Sequence, residues 1–455
     1  MPVAWYGDDF TGATDVLEVL SLAGLNSALF LRVPDPALLA RFPGLQAAGI
    51  AGDARSRPPE WMDANLPAVY GALGKLGPTL VHYKVCSTFD SSPRTGSIGR
   101  ALDLGREAFG TAGPVPIIVG APALRRYCAF GNLFAAVGDE TFRLDRHPTM
   151  SRHPVTPMQE ADLRRHLALQ SSARVASCDV LTLSSDNYRS ALRQMVAQNP
   201  DAILFDVVDQ RSLSRCGELI WEELRGARFT VASSGLEYAL TAYWKSAGLL
   251  PEHSAPPMPT SVDRIAVVSG SCAPATAAQI RHCESLGWES LAADPQRLAE
   301  VQTRGTELER LEAAATRALG RGASVVIHTA CGPEDPRVSS FDSWLRGAEP
   351  MRRREANAAV GTALGTLLDG LVTRFELKRV VVAGGDTCGV ASAALGIDAL
   401  TLISPTSPGS PLCRAHSARA SVDGISVVLK GGQVGGADFF ESVRLGRTGS
   451  TTQRF

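Results

Sequence analysis

Residues 3–15 read VAWYGDDFTGATD, and this stretch decides the fold class of the first half of the chain. The apolar run Val3–Tyr6 predicts a buried strand, which leads directly into two adjacent acids, Asp8 and Asp9. A helix is predicted next, over residues 13–23. A strand that passes into a helix in this way is typical of a parallel α/β sheet, whose ligands bind beyond the carboxyl ends of the strands. The two acids are therefore the first candidate functional residues.

Short apolar runs alternate with helical stretches along the rest of the chain. Strands are predicted at residues 80–84, 115–119, 202–206, 265–268, 324–327, 380–383 and 426–429. Their nearly continuous apolar character suits strands that are covered on both faces. The predicted fold is α/β with two domains, each a mainly parallel sheet flanked by helices, and with the active site in the cleft between them.

A proline-rich segment separates the two halves. Four prolines fall between residues 251 and 259, where neither a helix nor a central strand can form. The predicted organisation is a first domain over residues 1–248, a linker over 249–262, a second domain over 263–446 and a flexible tail over 447–455.

Composition excludes several classes of protein. The 455 residues include 45 Lys and Arg against 46 Asp and Glu, a formal net charge of −1, which gives no general field for nucleic acid or an anionic membrane. No run of 18 apolar residues predicts a membrane span, and the early acids argue against a secretory signal. The nine cysteines contain no C-x-x-C pair, so reduced thiols and a cytoplasmic location are predicted.

The acids at positions 8 and 9 admit two interpretations. They can accept hydrogen bonds from sugar hydroxyls, one can act as a base, and Gly12 would allow a tight turn and close ligand approach. The alternative is a helix N-cap, which accounts for one acid more readily than for two. Position favours Asp9 as the base, with Asp8 as its orienting neighbour, because Asp9 lies one residue further beyond the strand, where the loop should face the predicted cleft. Alternation along an extended segment would then point Asp8 the opposite way. Asp8 stays open as the base.

A second candidate site follows the strand predicted at residues 80–84. Lys84 ends this strand, and a hydroxyl-rich loop then contains Asp90 and Arg94. Lys and Arg beside hydroxyl groups are what a carboxylate or phosphate ligand needs. The alternative is a solvated loop with a lysine at the strand edge.

Three glycine-rich turns follow strands in the second half of the chain. Such turns expose backbone N–H groups, and helix N-termini add a favourable dipole, so they can hold phosphates. Any one of them could also be a plain connection between a strand and a helix. The candidate nucleotide-binding residues are Ser269, Ser271, Gly384, Gly385, Asp386, Thr387, Gly431, Gly432 and Gly435.

Several familiar motifs are absent from the sequence: the P-loop, G-x-G-x-x-G, G-x-S-x-G and H-E-x-x-H. The chain is therefore neither a P-loop enzyme nor a standard dinucleotide dehydrogenase by motif. A phosphate-binding half joined to a half with acids and a Lys/Arg loop indicates phosphoryl transfer to a polar small molecule.

In the order and content of its motifs, the chain resembles the four-carbon acid sugar kinase family. The resemblance is carried by residues 7–15, 83–91, 153–158 and 233–235, and by the turns at 269–271, 384–387 and 430–435. It implies an acid-sugar-binding first domain and a nucleotide-binding second domain. Gly7 stands where Ala is expected in tetronate kinases, which predicts a subfamily with a different acid sugar. Cys388 stands where Ser is usual.

This resemblance implies ATP-dependent phosphorylation of a hydroxyl on threonate, erythronate, 3-oxo-tetronate or a branched oxo-sugar acid. Asp8, Asp9, Lys84 and Arg94 would hold the acid sugar, with Asp90 in the same loop. Mg²⁺ is expected to bridge the phosphates in an in-line transfer, and its protein ligands are left open. The expected partners are the acid sugar and ATP, with no nucleic acid or membrane, and a homo-oligomer is left open. The alternatives are a non-catalytic nucleotide or sugar-acid sensor, and a lyase or oxidoreductase.

Overall fold

A computed structural model describes residues 1–110, 112–153, 155–252 and 256–447. The tail predicted from residue 447 falls outside the described residues from position 448 onward, as do residues 253–255 of the predicted linker and residue 154 of the 153–158 motif. The described chain divides into two compact units. The first contains residues 1–27 and 33–252, and the second contains residues 28–32 and 256–447. The domain boundaries drawn from the sequence stay a prediction.

Strands and helices alternate along most of the chain. The strands are β1 Val3–Gly7, β2 Ser27–Phe30, β3 Ala47–Ala51, β4 Leu80–Lys84, β5 Val115–Ile118, β6 Arg126–Ala129, β7 Asn132–Val137, β8 Glu140–Arg143, β9 Val175–Cys178, β10 Ala202–Phe205, β11 Phe229–Ala232, β12 Ala266–Ser269, β13 Glu289–Ala292, β14 Val325–His328, β15 Arg379–Ala383, β16 Ala399–Ser407, β17 Ser410–His416 and β18 Ser426–Lys430.

The helices complete the two units. They are α1 Phe10–Leu22, α2 Pro36–Ala40, α3 Pro59–Lys75, α4 Ile98–Phe109, α5 Leu163–Ala168, α6 Val180–Ser184, α7 Tyr188–Ala197, α8 Gln210–Glu218, α9 Gly235–Ser246, α10 Pro274–Ser285, α11 Pro295–Ala299, α12 Val301–Gly320, α13 Pro336–Trp344, α14 Pro350–Phe375, α15 Gly385–Leu395 and α16 Phe439–Leu445. Short 3-10 turns lie at Ala54–Ser56, Pro122–Leu124, Leu144–Arg146 and Met150–Arg152, and a π-helical turn lies at Leu219–Glu223. No helix within the described ranges combines the length and apolarity that crossing a membrane requires.

The first unit contains a parallel sheet with the strand order β3-β1-β4-β11-β5-β10-β9. Its core includes an aromatic cluster, in which the Tyr70 and Phe229 rings lie 5.3 Å apart and the Phe109 and Phe229 rings stack at 5.6 Å. A small antiparallel sheet, β6-β7-β8, follows β5 in the chain and was not predicted from the sequence.

The second unit contains a mixed sheet. Its strands β13-β14-β12-β15-β18 are parallel, and β17, β16 and β2 continue it with antiparallel pairing. Strand β2 comes from the N-terminal half of the sequence, and its Phe30 pairs with Ala399 of β16. The predicted α/β class with mainly parallel sheets is confirmed, whereas the cleft predicted between the domains stays a prediction.

Candidate active site

Three strands of the first unit end together at the carboxyl edge of its sheet. Gly7 at the end of β1 is in register with Ala51 of β3 and with Lys84 of β4. Beyond this edge, the Asp8 N–H donates to the Lys84 carbonyl (3.0 Å), and the Arg55 N–H donates to the Asp8 carbonyl (3.0 Å). Backbone bonds therefore hold residues from three separate loops side by side.

The Arg55 guanidinium joins the two acids. Its Nη2 lies 2.5 Å from Asp8 Oδ1 and 2.8 Å from Asp9 Oδ1. The expectation that Asp8 and Asp9 point in opposite directions is wrong. Because β1 ends at Gly7, the alternation of a pleated strand stops before the acids, and both side chains reach the same cation. Sequence reasoning missed Arg55 entirely.

Asp9 is also the N-cap of α1. Its carboxylate accepts hydrogen bonds from the Gly12 N–H (2.9 Å) and the Thr11 hydroxyl (2.6 Å), so the capping interpretation is correct for this acid. The helix consequently begins at Phe10, three residues earlier than predicted, and Gly12 lies in its first turn, not in a tight turn. A Cβ at Gly12 would lie 2.5 Å from Asp9 Oδ1 and 3.0 Å from Lys84 Nζ, so a larger residue there would displace these two charged groups.

The two acids differ in their pKa. Burial raises the pKa of Asp8, an effect that the neighbouring Arg55 opposes and the Asp9 carboxylate reinforces. Burial also acts on Asp9, but Arg55, Lys84 and the hydrogen bonds from Thr11 and Gly12 outweigh it and hold the pKa of Asp9 below its usual value. Asp8 is therefore the more basic carboxylate of the pair.

A polar shell of buried groups from two further loops surrounds the cluster. Lys84 is 3% exposed, and its Nζ donates to the Val85 carbonyl (2.9 Å). The Asp90 carboxylate accepts hydrogen bonds from Thr88 (2.5 Å) and Thr156 (3.4 Å), so the loop of the 153–158 motif reaches the loop after β4. Burial lowers the pKa of the Arg55 guanidinium, but the charges of Asp8, Asp9 and Asp90 outweigh burial and raise it.

Cys86 and Arg126 are further members that the sequence did not indicate. Burial and the Asp90 charge raise the pKa of the Cys86 thiol. Burial lowers the pKa of Arg126, the Cys86 thiol opposes that shift, and Arg126 Nη1 donates to the Leu124 carbonyl (3.1 Å). The Nε atoms of Arg55 and Arg126 are buried and have no acceptor among the described residues.

Arg94 occupies a different environment from the one expected. Its side chain is exposed, and its backbone N–H donates to Ser92 Oγ (3.3 Å). In the described parts of the chain, no contact joins the Arg94 side chain to the acid cluster. The guanidinium that contacts the acids comes instead from the loop after β3.

In the second unit, the three glycine-rich turns also meet at one carboxyl edge. Strands β12, β15 and β18 are neighbours, with Ser269 in register with Ala383, and Ala383 in register with Lys430. The Gly270 N–H donates to the Ala383 carbonyl (3.0 Å), and the Gly384 N–H donates to the Lys430 carbonyl (2.8 Å). The structure thus brings together the turns that the sequence predicted to act together.

The turns pack closely against one another at Gly384 and Gly432. Gly384 has φ +116°, and a Cβ there would lie 3.3 Å from the Ser271 nitrogen. A Cβ at Gly432 would lie 2.6 Å from Ser271 Oγ. Gly385 is different, because a Cβ at this position would have no atom within 4 Å. The first turn of α15 is therefore open at Gly385, whereas the preceding Gly384 is closely packed.

The remaining candidates lie around the same edge. Asp386 and Thr387 belong to the first turn of α15, and Thr387 Oγ1 would lie 2.1 Å from a Cβ at Gly270. Gly435 has φ +86° and packs against Phe439 at the start of α16. Within the described ranges, no group of three or more His, Cys, Asp or Glu side chains is arranged to hold a metal ion.

Two family models match separate parts of the chain. A family model described as a sugar-binding N-terminal domain matches residues 3–240, and one described as a nucleotide-binding C-terminal domain matches residues 266–440. The chain is 49% identical to a 3-oxo-isoapionate kinase of Paraburkholderia graminis over 98% of this chain and 94% of the relative. It is 30% identical to a 3-oxo-tetronate kinase of Methylobacterium radiotolerans over 95% and 96%.

Solved structures show the same fold. A crystal structure from Salmonella typhimurium LT2 matches with a TM-score of 0.74 and 27% identity, covering 97% of this chain and 98% of that one. The protein thus has the two-part architecture of a phosphotransferase that acts on a hydroxyl group. The chain belongs to the four-carbon acid sugar kinase family, as its motifs indicated. It is a sugar acid kinase.

Proposed function

We propose that this kinase transfers the terminal phosphoryl group of ATP to a hydroxyl of a small oxo-sugar acid, with 3-oxo-isoapionate as the first candidate substrate. The relative that acts on this compound, by its name, shares 49% identity over 98% of the chain, against 30% for a 3-oxo-tetronate kinase. The observation that carries the proposal is the contact of the Arg55 guanidinium with the buried Asp8 and the partly exposed Asp9, in the unit that matches the sugar-binding model.

Cationic groups near this cluster suit the carboxylate of a sugar acid. Lys84 and Arg55 lie beside the acids, and the buried Nε donors of Arg55 and Arg126 would gain an acceptor from a bound carboxylate. We assign the carboxylate to these groups in place of Arg94, which is exposed. Asp90, with Thr88 and Thr156, offers acceptors and donors for sugar hydroxyls.

Asp8 is the group best suited to accept the proton of the sugar hydroxyl. Its contact with Arg55 uses Oδ1, whereas the Asp9 carboxylate holds the N-terminus of α1 through two hydrogen bonds and contacts Arg55 as well. Burial raises the pKa of Asp8, which makes it the better base of the pair. These contacts favour the opposite order to the one favoured from the sequence, and we assign Asp9 the role of a positioning residue.

Under this proposal, Gly7 would influence the choice of substrate through the packing of α1 and not by contact with the substrate. A Cβ at this position would lie 2.5 Å from the Ala13 Cβ and 3.0 Å from the Ala13 Cα, so glycine lets α1 pack closely against the end of β1. The helix start carries Asp9 and its capping contacts, and a shift of α1 would move them. The hypothesis that Gly7 marks a different acid sugar stays a prediction, and this packing supplies its physical route.

The glycine-rich turns of the second unit are proposed to hold the ATP phosphates through backbone N–H groups. Mg²⁺ would neutralise charge on the transferred group, and it needs only one or two carboxylates when the phosphates supply other ligands. Asp386, in the first turn of α15, is the carboxylate among the candidate nucleotide-binding residues.

The test is a coupled ADP-release assay of the full chain with ATP and four acceptors: 3-oxo-isoapionate, 3-oxo-tetronate, threonate and erythronate. We expect the highest kcat/KM with 3-oxo-isoapionate. A preference for 3-oxo-tetronate would reject the proposed substrate and keep the kinase assignment. A rise in Tm with ATP but no turnover of any acceptor would favour the sensor alternative.

A further inference from the structure

Lys430, the last residue of β18, is a fully buried lysine at the start of the third glycine-rich turn. Its Nζ donates to Thr276 Oγ1 (3.0 Å), to the Gly431 carbonyl (2.9 Å) and to the Gly432 carbonyl (3.1 Å). An ammonium has three protons, so these contacts use its full donor capacity. All three acceptors are neutral.

The surroundings of this ammonium contain little to balance its charge. The Phe440 ring of α16 lies 5.9 Å from Nζ, and the Cys388 thiol of α15 is the titratable group that acts on it. No salt bridge to Lys430 is found in the described parts of the chain. Burying a cation without an anionic partner is costly, so the fold retains this charge at a position where an anion is expected to bind.

The hydroxyl of Thr276, in α10, hydrogen-bonds both to Lys430 and to the third glycine-rich turn. Thr276 is buried, and its Oγ1 donates to the Gly432 carbonyl (2.7 Å) while it accepts from Lys430. The Gly432 carbonyl is thus held by two donors from different elements. Because a Cβ at Gly432 would lie 2.6 Å from Ser271 Oγ, this part of the turn also lies tightly against the first turn.

We propose that Lys430 is a positioning residue for nucleotide binding, which holds the Gly431 and Gly432 carbonyls on the inner side of the turn and supplies a charge that bound phosphate groups balance. This inference rests on the proposed binding of ATP by the glycine-rich turns. A lysine whose three protons are committed to the protein does not contact the phosphates directly. Its effect reaches them through the conformation of the turn and through the local potential.

Two substitutions separate this role from a purely structural one. Lys430→Met keeps an unbranched apolar side chain and removes both the buried charge and the hydrogen bonds to the Gly431 and Gly432 carbonyls. Because these two changes act on stability in opposite directions, the Tm of the nucleotide-free protein should change little. Its affinity for ADP and ATP should fall at least about tenfold, since interactions with a charged group are lost. A residue needed only for stability would show the opposite pattern, with a lower Tm and unchanged affinity in the folded fraction.

Thr276→Val removes a neutral hydroxyl from the same carbonyl, and Thr276→Ser is the matched control that keeps it. We expect weaker ADP binding for Thr276→Val and affinity close to wild type for Thr276→Ser. The effects of Lys430→Met and Thr276→Val should be less than additive, because both act on Gly432.

The measurement is calorimetric titration of the full chain with ADP and ATP, together with thermal unfolding without nucleotide. A wild-type Kd in Lys430→Met would overturn the inference, as would a loss of affinity in that variant alone with Thr276→Val unaffected, which would indicate direct contact with phosphate. If the wild-type chain bound neither nucleotide, the proposed function itself would fail. That result is distinct from any difference among the variants.

Discussion

The two candidate sites occupy equivalent places in their sheets, but one consists of charged side chains and the other mainly of backbone groups. Each lies at the carboxyl edge of a parallel set of strands. In the first unit, the edge carries charged side chains, with Asp8, Asp9 and Arg55 in direct contact. In the second unit, the edge carries glycine turns and backbone groups, and Lys430 is buried beneath them. The difference matches the proposed ligands, because directional side chains suit the hydroxyls of a sugar acid, whereas backbone N–H groups suit the many oxygens of phosphates.

The two sites also balance charge differently. Arg55 lies between two carboxylates, so the charges of the first site compensate one another within the protein. The hydrogen bonds of Lys430 go to neutral acceptors, and under the proposal for Lys430 its balancing charge comes from bound phosphate groups. We therefore expect the first site to be sensitive to loss of an internal partner, and the second to respond mainly through nucleotide affinity.

The largest effect is expected from Arg55→Met. Removing this cation leaves the buried Asp8 and the partly exposed Asp9 carboxylates without their shared partner, which should lower the free energy of unfolding by about 3 kcal/mol. Arg94→Met is the matched control, because Arg94 is exposed and its loss should change stability by less than about 0.5 kcal/mol. Denaturant unfolding of both variants measures the difference. Equal effects would show that internal compensation is not what stabilises the first site.

Arg55 and Arg94 also show which site residues the sequence can predict and which it cannot. The strand predicted at residues 3–6 is apolar throughout, the one at 80–84 begins with Leu80 and Val81, and the ends of these strands point to Asp8 and Lys84. Strand β3 reads AAGIA, too small and too weakly β-forming to stand out, so the turn after it was not considered. Arg55 lies in that turn, and only the register of β3 with β1 brings it to the acids. Arg94 was favoured because it is near Lys84 in sequence.

The glycine turns were easier to predict for a physical reason. Their proposed function depends on the backbone, so the small residue types that permit it are visible in the sequence itself, and two of these residues, Gly384 and Gly435, have positive φ. The hydrogen bond from Lys430 to Thr276 could not be predicted from the sequence, because the two residues lie 154 positions apart. The pairing of β2 with β16 also joins distant parts of the sequence, and no local sequence pattern predicts it.

The second prediction concerns the two acids. Asp8→Asn should lower kcat about 100-fold or more, because it removes the proposed base, with nucleotide affinity unchanged. Asp9→Asn should have a smaller effect on kcat, since Asn is a good N-cap and preserves the start of α1. Steady-state kinetics with the preferred acid sugar compares the two. A larger loss in Asp9→Asn would restore the order favoured from the sequence.

The third prediction concerns the open position of the second site. Gly385→Val should preserve the fold, because a Cβ there has no atom within 4 Å in the protein, but its side chain should hinder phosphates and raise the Kd for ATP about tenfold. The KM for the acid sugar should change little. Gly384→Val provides the contrast, since φ +116° disfavours valine and stability should fall by about 1–3 kcal/mol. Calorimetry and thermal unfolding separate these outcomes, and unchanged ATP affinity in Gly385→Val would remove the first turn of α15 from the nucleotide site.

The smallest expected effect is a pH dependence that belongs to Lys430. Burial lowers the pKa of its ammonium from 10.5 to about 8, and the Cys388 thiol of α15 partly opposes this shift. The other contacts described above, Thr276 from α10 and the Phe440 ring from α16, do not titrate in this range. Bound phosphates favour the charged form, so the pKa of Lys430 should rise when nucleotide binds.

The sign of the effect differs between binding and stability. Above about pH 8, nucleotide binding must take up a proton, so the affinity for ADP should fall as the pH rises from 7.5 to 9.5, by a few-fold. Without nucleotide, the unfolded chain binds more protons than the folded one between the two pKa values, so the contribution of Lys430 to stability increases over the same range. Other groups titrate there too, and the measured quantity is therefore the difference between wild type and Lys430→Met. Parallel pH profiles for these two proteins, in both ADP affinity and Tm, would show that the charge of Lys430 is not linked to the nucleotide.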